Sequence, residues 1–303
     1  MRYRPFGHSG IALSALGLRL DVAQLRNNLR LAEKLIVTAL ENGINTYHFD
    51  GFDMPFLKEM AAVLTLVDRK LLFVSVTPDL PGHPGDFSGY VMPAFKDRLR
   101  DLVKSTGFLW IDLLLFAQPG ASLVPPDSIE FINHLRRAKM VRYAGAIAET
   151  ADIRPLVESG AFNVIQTSFD IDSTWEKRHQ IDYAIHRDLC VIGSDYFPSI
   201  YRKASDVVPA KARTGWFGTK AKDPLAGAGT HAFLHQTSDW TPEELCLGYA
   251  LSLPSLSCIL IDPETPEKLE TLAAVPERHL PSSVPAQIEM ARFTEVLPKS
   301  VKR

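Results

Sequence analysis

Short apolar runs alternate with longer amphipathic stretches along the whole chain. Eight of these runs have the composition of β-strands, and most are almost continuously apolar, without period-two alternation. That pattern is typical of parallel strands that are buried on both faces. The predicted strands span residues 14–20, 45–49, 70–77, 110–117, 141–147, 162–168, 189–195 and 256–262.

Helical periodicity fills the intervals between these strands. In residues 28–43 the apolar side chains recur every three or four positions, and the pattern ends at Gly43. Residues 95–107 and 126–139 show the same periodicity. Eight strands, each followed by a crossover of helical length, predict a closed (β/α)8 barrel. An open doubly wound sheet is the alternative, and no GxGxxG motif follows the first strand to support it.

Three segments add to the minimal barrel, and we assign them with it to one domain, residues 1–303. Residues 1–13 predict an N-terminal β-hairpin that closes the bottom of the barrel, and residues 283–303 a C-terminal tail. Residues 196–240, after the seventh strand, are rich in Lys, Gly and Pro and predict a long loop or lid. Long loops on this side of a barrel usually bind ligands.

Composition and charge narrow the class of protein. The chain has 303 residues, 46% of them hydrophobic, which suits one large α/β domain. Its net charge of −2 gives no reason to expect nucleic acid or a membrane surface as a partner. No stretch resembles a signal peptide or a membrane span. Three widely spaced cysteines are typical of reduced, buried thiols, so we expect a cytoplasmic protein; the oligomeric state is left open.

Polar residues cluster where the predicted strands end, around one histidine. Such a ring of titratable groups is what general acid–base catalysis needs. We therefore expect His48, Asp50 and Asp53 to be catalytic. Strand alternation places His48 and Asp50 on the same side, where the carboxylate would raise the pKa of the imidazole and fix its tautomer. Asp53 would be the complementary acid or a substrate anchor.

Further residues at the strand ends are candidates for binding a small-molecule substrate. The guanidinium of Arg19 suits a carboxylate or phosphate. Thr77, Asp79 and Gln118 end the third and fourth strands, and Trp216 of the long loop would cover the mouth.

Each of these features also has a purely structural interpretation. Asp is common after a strand simply as the N-cap of the following helix, and we expect this role for Asp21, Asp172 and Asp262. Asp112 lies inside a strand and is expected to support the scaffold. The spacing His48-x-Asp50-x-x-Asp53 resembles a metal site, but without a second histidine on a neighbouring strand end we expect no metal.

Six segments, in order, resemble the aldo-keto reductase family over essentially the whole chain. They are YRPFGHSGIALSALGL (3–18), ALENGIN (39–45), FKDRLRDLVKSTGFLWIDLLLF (95–116), RRAKMVRYAG (136–145), FNVIQTSFD (162–170) and TPEKLETL (265–272). The resemblance implies a barrel of the aldo-keto reductase type. It also implies, for the family, carbonyl reduction by NADPH with a tyrosine as proton donor.

The resemblance does not extend to the family's catalytic residues. Its Asp and Tyr after the second strand are matched here by His48 and Asp53, its Lys by Thr77 and its His by Ala117. All four groups are therefore replaced by residues of different chemistry.

The cofactor positions depart from the family as well. Gln166 matches a family residue that contacts the nicotinamide carboxamide. Ile147-Ala148, however, stand where the family has the Ser-Asn pair that shares this role, and Ser194 where it has the tyrosine on which the ring stacks. Asp262 and Glu264 fall where an adenosine phosphate would lie, and like charges oppose NADPH. We therefore expect no cofactor, with NADPH as the alternative.

Three functions follow from these observations. The first is an enzyme that has lost hydride transfer and performs acid–base chemistry of the lyase, dehydratase, isomerase or cyclase type on a small polar or carbonyl substrate. The second is an NAD(P)H-dependent oxidoreductase with a rearranged active site. The third is a non-catalytic binding protein on the same barrel.

Overall fold

The computed structural model describes residues 1–78, 93–117, 126–198, 201 and 231–296. The chain begins with a two-stranded antiparallel hairpin, β1 (Tyr3–Pro5) and β2 (Ala12–Ser14). The hairpin buries Phe6 and Leu13 in one cluster with Phe73 at the start of a barrel strand. The Phe6 and Phe73 ring centroids are 4.9 Å apart. The predicted hairpin at the bottom of the barrel is confirmed.

Eight parallel strands close into a barrel in which each strand pairs with the next along the chain and the last pairs with the first. The predicted (β/α)8 fold is confirmed, and each strand overlaps its predicted range. The strands are β3 (Leu16–Asp21), β4 (Thr46–Asp50), β5 (Phe73–Thr77), β6 (Ile111–Phe116), β7 (Val141–Ile147), β8 (Val164–Ser168), β9 (Cys190–Ser194) and β10 (Cys258–Ile261).

Helices surround the barrel and cover the outward faces of its strands. They are α1 (Val22–Leu25), α2 (Leu29–Glu41), α3 (Met54–Leu64), α4 (Pro93–Thr106), α5 (Pro126–Arg137), α6 (Thr150–Glu158), α7 (Trp175–His186), α8 (Pro242–Leu251), α9 (Pro266–Ala274) and α10 (Ser283–Val296). Short 3-10 helices span Arg69–Leu71, His231–His235 and Val275–Glu277. The segment predicted as a C-terminal tail thus begins with a helix. Among the described helices, none combines the length and apolarity that a membrane crossing requires.

Strand alternation separates the outer core from the barrel interior. In β4, Tyr47 and Phe49 pack outward in the main core under the helices. His48 and Asp50, which alternate with them, consequently face the interior. The predicted projection of His48 and Asp50 to one side is confirmed.

Asp112 is the centre of a buried hydrogen-bond network behind β6. Its side chain is 1% exposed and accepts hydrogen bonds from Arg69 Nη2 at 2.6 Å, Trp110 Nε1 at 2.8 Å, Val74 N at 2.9 Å and Arg142 Nη1 at 3.1 Å. These bonds tie β5, β6 and β7 together on the outer face of the barrel. The predicted scaffold role of Asp112 is confirmed.

Candidate active site

The registers of β3, β4 and β5 place the predicted residues in two levels of the barrel interior. Arg19 pairs with His48, and His48 with Ser75. One level nearer the mouth, Asp50 pairs with Thr77. Neighbouring strands lie about 4.8 Å apart, so paired inward side chains are adjacent. The sequence-predicted residues Arg19, His48, Asp50 and Thr77 are therefore brought together.

His48 is buried between two hydroxyl groups. It is 1% exposed, its Nδ1 lies 3.0 Å from Ser75 Oγ, and its Nε2 lies 3.4 Å from Thr77 Oγ1. A neutral imidazole has one donor nitrogen and one acceptor nitrogen, so it can serve both hydroxyls at once. Ser75 was not among the predicted site residues, although strand alternation from Thr77 places it on the same inward face.

Burial lowers the pKa of His48 from 6.5 to about 3, and the positive charge of Arg19 acts in the same direction. The expectation that Asp50 raises this pKa is therefore wrong. Protonation of the imidazole would place a cation in a site without water, and the nearby guanidinium would repel this second positive charge. His48 is thus neutral at physiological pH.

Arg19 is held by two carboxylates, those of Asp195 and Asp262, which follow β9 and β10. Its Nη1 lies 3.4 Å from Asp195 Oδ1 and its Nη2 lies 3.0 Å from Asp262 Oδ2. Burial lowers the pKa of Arg19, but Asp262, Asp195 and then Asp50 more than reverse that shift, so that the pKa rises overall. A substrate anion at Arg19 would have to compete with these carboxylates.

Several acidic residues are explained by helix capping, though not the set expected. Asp53 accepts a hydrogen bond from Phe56 N at 2.9 Å as the N-cap of α3, and Asp21 is the N-cap of α1, as predicted. Asp172 and Asp262 are not caps, which corrects the prediction for both. Thr174 and Thr265 cap α7 and α9 instead.

The two residues that do not cap make other contacts. Asp262 pairs with Arg19 at 3.0 Å. Asp172 lies 3.4 Å from the Tyr201 hydroxyl, which is itself 2.6 Å from His231 Nδ1. Sequence position alone could not separate these roles, because Asp and Thr both serve as caps.

The wall formed by β8 and β9 holds a second polar group. Gln166 and Ser168 alternate with outward residues of β8, and Ser168 pairs in register with Ser194. Ser194 donates to Asp195 Oδ2 at 2.9 Å. Ser168 accepts a hydrogen bond from Lys177 Nζ at 2.5 Å. Lys177 is only 7% exposed, although it lies in the first turn of α7.

Lys177 and Ser168 were not predicted as site residues. One signal in the sequence could have identified Lys177, because a cation in the first turn of a helix opposes the helix dipole and needs a compensating reason. A side chain in a helix also leans toward the N-terminus. Lys177 therefore reaches back over the rim of the barrel toward the end of β8.

Three predicted substrate-binding residues, Asp79, Gln118 and Trp216, lie outside the described residues. Within the described ranges, no group of three His, Cys, Asp or Glu side chains is arranged to hold a metal ion.

The residues at the mouth fit a nicotinamide dinucleotide poorly. Ser194 offers no ring for stacking, and Ala148 is a buried side chain without a polar group for the carboxamide. After β9 and β10 the mouth carries two carboxylates, Asp195 and Asp262, against the single guanidinium of Arg19, and this charge balance disfavours the phosphates of a dinucleotide. Gln166 alone keeps the expected chemistry: it is 3% exposed, and its Oε1 has no hydrogen-bond partner among the described residues.

Comparison with known proteins supports the fold. No family model matches the sequence, and no curated protein matches it either. The holo form of the aldo-keto reductase AKR11C1 from Bacillus halodurans is 16% identical, covers 100% of this chain and 98% of its own, and superposes with a TM-score of 0.70. The apo form of the same enzyme is 17% identical, covers 95% of both chains and gives a TM-score of 0.66. The chain therefore has the fold of the aldo-keto reductases.

Proposed function

We propose that this chain is an enzyme on the aldo-keto reductase fold that transfers protons instead of hydride. Its substrate is a small polar or carbonyl-bearing molecule bound in the barrel mouth, and its reaction is of the lyase, dehydratase, isomerase or cyclase type. The three cysteines are free and buried, in keeping with the proposed cytoplasmic location.

The observation that carries the proposal is the ion-pair cluster of Arg19, Asp195 and Asp262. Two carboxylates against one guanidinium leave this part of the mouth with a net negative charge, beside which a dinucleotide phosphate would be unfavourable. Like charges at short range oppose binding. The cluster therefore favours chemistry that does not depend on NADPH.

Asp50 is the proton-transfer residue of the proposed reaction. It ends β4 on the inward face, is partly exposed, and lies beside Thr77 in the register of the barrel. A carboxylate at this position can accept a proton from a carbon or oxygen of the substrate. The Arg19 charge acts on it from the neighbouring strand.

His48 acts through Thr77 as a positioning residue. His48 is 1% exposed and lies one level deeper than Asp50 in the barrel, so we assign the proton-transfer role to the partly exposed Asp50. A neutral imidazole can still orient and polarise a hydroxyl group. Thr77, oriented in this way, would hydrogen-bond the substrate oxygen on which negative charge develops.

A rearranged NAD(P)H-dependent oxidoreductase is the second candidate. It is favoured by Gln166, whose buried amide oxygen has no partner among the described residues and could accept from a carboxamide. A non-catalytic binding protein is the third. The hydrogen bonds that join His48 to Ser75 and Thr77 count against this third function. A barrel that does not catalyse a reaction would not require an ordered polar network in its mouth.

Two measurements test the proposal. In a fluorescence titration with NADPH we expect no saturable binding; saturable binding in the micromolar range, with NADPH-dependent reduction of a carbonyl compound, would overturn the proposal. In D2O, small 2-oxo and 2-hydroxy acids are incubated with the protein and followed by 1H NMR. We expect exchange of a carbon-bound proton in wild-type protein and its loss in Asp50→Asn.

A further inference from the structure

Lys177 is a buried cation whose charge is only weakly compensated. Its closest contact is the neutral hydroxyl of Ser168, at 2.5 Å. Among the described carboxylates, only Glu149 lies within ion-pair distance, at 3.7 Å, and its side chain is 70% exposed. Arg19, in contrast, has two carboxylates within 3.4 Å. Burying a poorly paired charge costs free energy, so Lys177 is the more available anion-binding group at the mouth.

Gln166 adds an unsatisfied acceptor on the same inward face of β8. The side chain is 3% exposed, and no described residue donates to its Oε1. Buried carbonyl oxygens in proteins nearly always accept a hydrogen bond. A ligand that supplies an N–H or O–H group here would satisfy this atom.

The spacing of the two groups defines what they can bind together. Gln166 and Ser168 are two residues apart on one strand, which places their side chains about 6.6 Å apart along β8. Two hydrogen bonds of about 2.8 Å each, converging at an angle on one small molecule, can bridge this distance when the molecule carries polar atoms on adjacent carbons.

We propose that Gln166, Ser168 and Lys177 form a binding site for a small carboxylate that carries a hydroxyl or amino group on the adjacent carbon. Lys177 and Ser168 hold the carboxylate, and Gln166 Oε1 accepts from the hydroxyl or amino group. A role of this site in turnover rests on the proposed function, because the site would hold the substrate of that reaction. Binding to the site can be measured by itself, without turnover.

Saturation-transfer NMR on the full chain tests the site with three probes. Glycolate carries both groups, acetate lacks the hydroxyl, and glycolamide lacks the charge. We expect wild-type protein to bind glycolate more tightly than acetate or glycolamide, since loss of either group removes one hydrogen-bonded contact. Each contact contributes on the order of tenfold in affinity, and a charged one contributes more.

Variants assign the binding to the named residues. Lys177→Met should weaken glycolate binding by about tenfold or more, while Gln166→Leu should reduce it to the level of acetate. The exposed Lys104 provides a matched control, and Lys104→Met should bind like wild type. Replacing a weakly paired buried lysine by methionine should keep or raise the melting temperature, so a loss of binding would not reflect unfolding.

Lack of glycolate binding to wild-type protein, or unchanged binding in Lys177→Met, would overturn the assignment of this site. Glycolate binding that depends on Lys177, without any deuterium exchange, would leave the site standing and count against the proposed function instead.

Discussion

His48 and Ser75 are joined by a hydrogen bond inside the barrel, with Nδ1 3.0 Å from Oγ. The two residues are also partners in the register of β4 and β5. Both are almost fully buried, so the bond is shielded from water. Burial and the nearby charge of Arg19 keep the histidine neutral.

Stability should fall in acid because of His48. Its pKa is about 3 in the folded protein against 6.5 for the free side chain. Between these values the unfolded chain binds a proton that the folded chain does not, so the free energy of unfolding decreases as pH falls below 6.5, by about 1.4 kcal/mol per pH unit. Urea unfolding at pH 7.5 and pH 5 should therefore show a loss larger by about 2 kcal/mol in wild type than in His48→Gln.

The exposed His8 supplies the control for this measurement. Its side chain is 90% exposed, so His8→Gln should show the same loss between the two pH values as wild type. An identical loss in wild type and His48→Gln would contradict the low pKa.

The Asp112 network should make a large contribution to stability. Asp112→Asn removes the charge that Arg69 and Arg142 share and leaves buried donors poorly matched. We expect the free energy of unfolding, measured by urea denaturation, to fall by about 3 kcal/mol. Asp101→Asn, at an exposed position of α4, should change it by less than about 0.5 kcal/mol. Similar effects of the two substitutions would show that the buried network is not needed.

Asp53 can be tested separately as a cap and as a catalyst. Asp53→Ala removes the acceptor for Phe56 N and should lower the free energy of unfolding by about 1 kcal/mol, whereas Asp53→Ser keeps a capping oxygen and should lose little. If capping is the whole role of Asp53, the serine variant should also retain deuterium exchange. A stable serine variant without exchange would instead restore the predicted catalytic role.

The barrel interior leaves no space for a side chain at Gly145 in β7. A Cβ atom there would lie 2.8 Å from Leu115 Cδ2, 2.9 Å from Val164 Cβ and 3.0 Å from the Val164 carbonyl oxygen. The leucine can rotate, but the backbone oxygen cannot. We expect Gly145→Ala to lower the free energy of unfolding by about 1–3 kcal/mol, measured by urea unfolding. A neutral effect would mean that β7 and β8 can separate without loss.

Much of the scaffold could be predicted from sequence because its signals are local. Continuous apolar runs identify strands buried on both faces, and helix-length intervals between them require crossovers. Gly43 is predicted to end a helix, and it follows α2 with a positive φ of 76°. Alternation along β4 likewise predicts that His48 and Asp50 share the inward face, because successive side chains of a strand point to opposite sides.

The electrostatic roles of the residues at the barrel mouth could not be predicted from local sequence patterns. Arg19 pairs with Asp195 and Asp262, which lie 176 and 243 positions away in the chain. Whether an aspartate caps a helix or neutralises an arginine depends on which side chain closure of the barrel brings beside it. For Asp262 and Asp172 the local pattern predicted a cap, and the tertiary contacts gave a different partner.

The sequence by itself thus determined the strands, the helices, the barrel and the polar character of its mouth, since these follow from periodicity and burial along the chain. Only the tertiary structure decided that His48 is neutral, that Arg19 is already paired, and that Lys177 reaches Ser168. The physical reason is that charge states and pairings depend on distances of a few ångströms between distant segments, and on the water excluded when they meet.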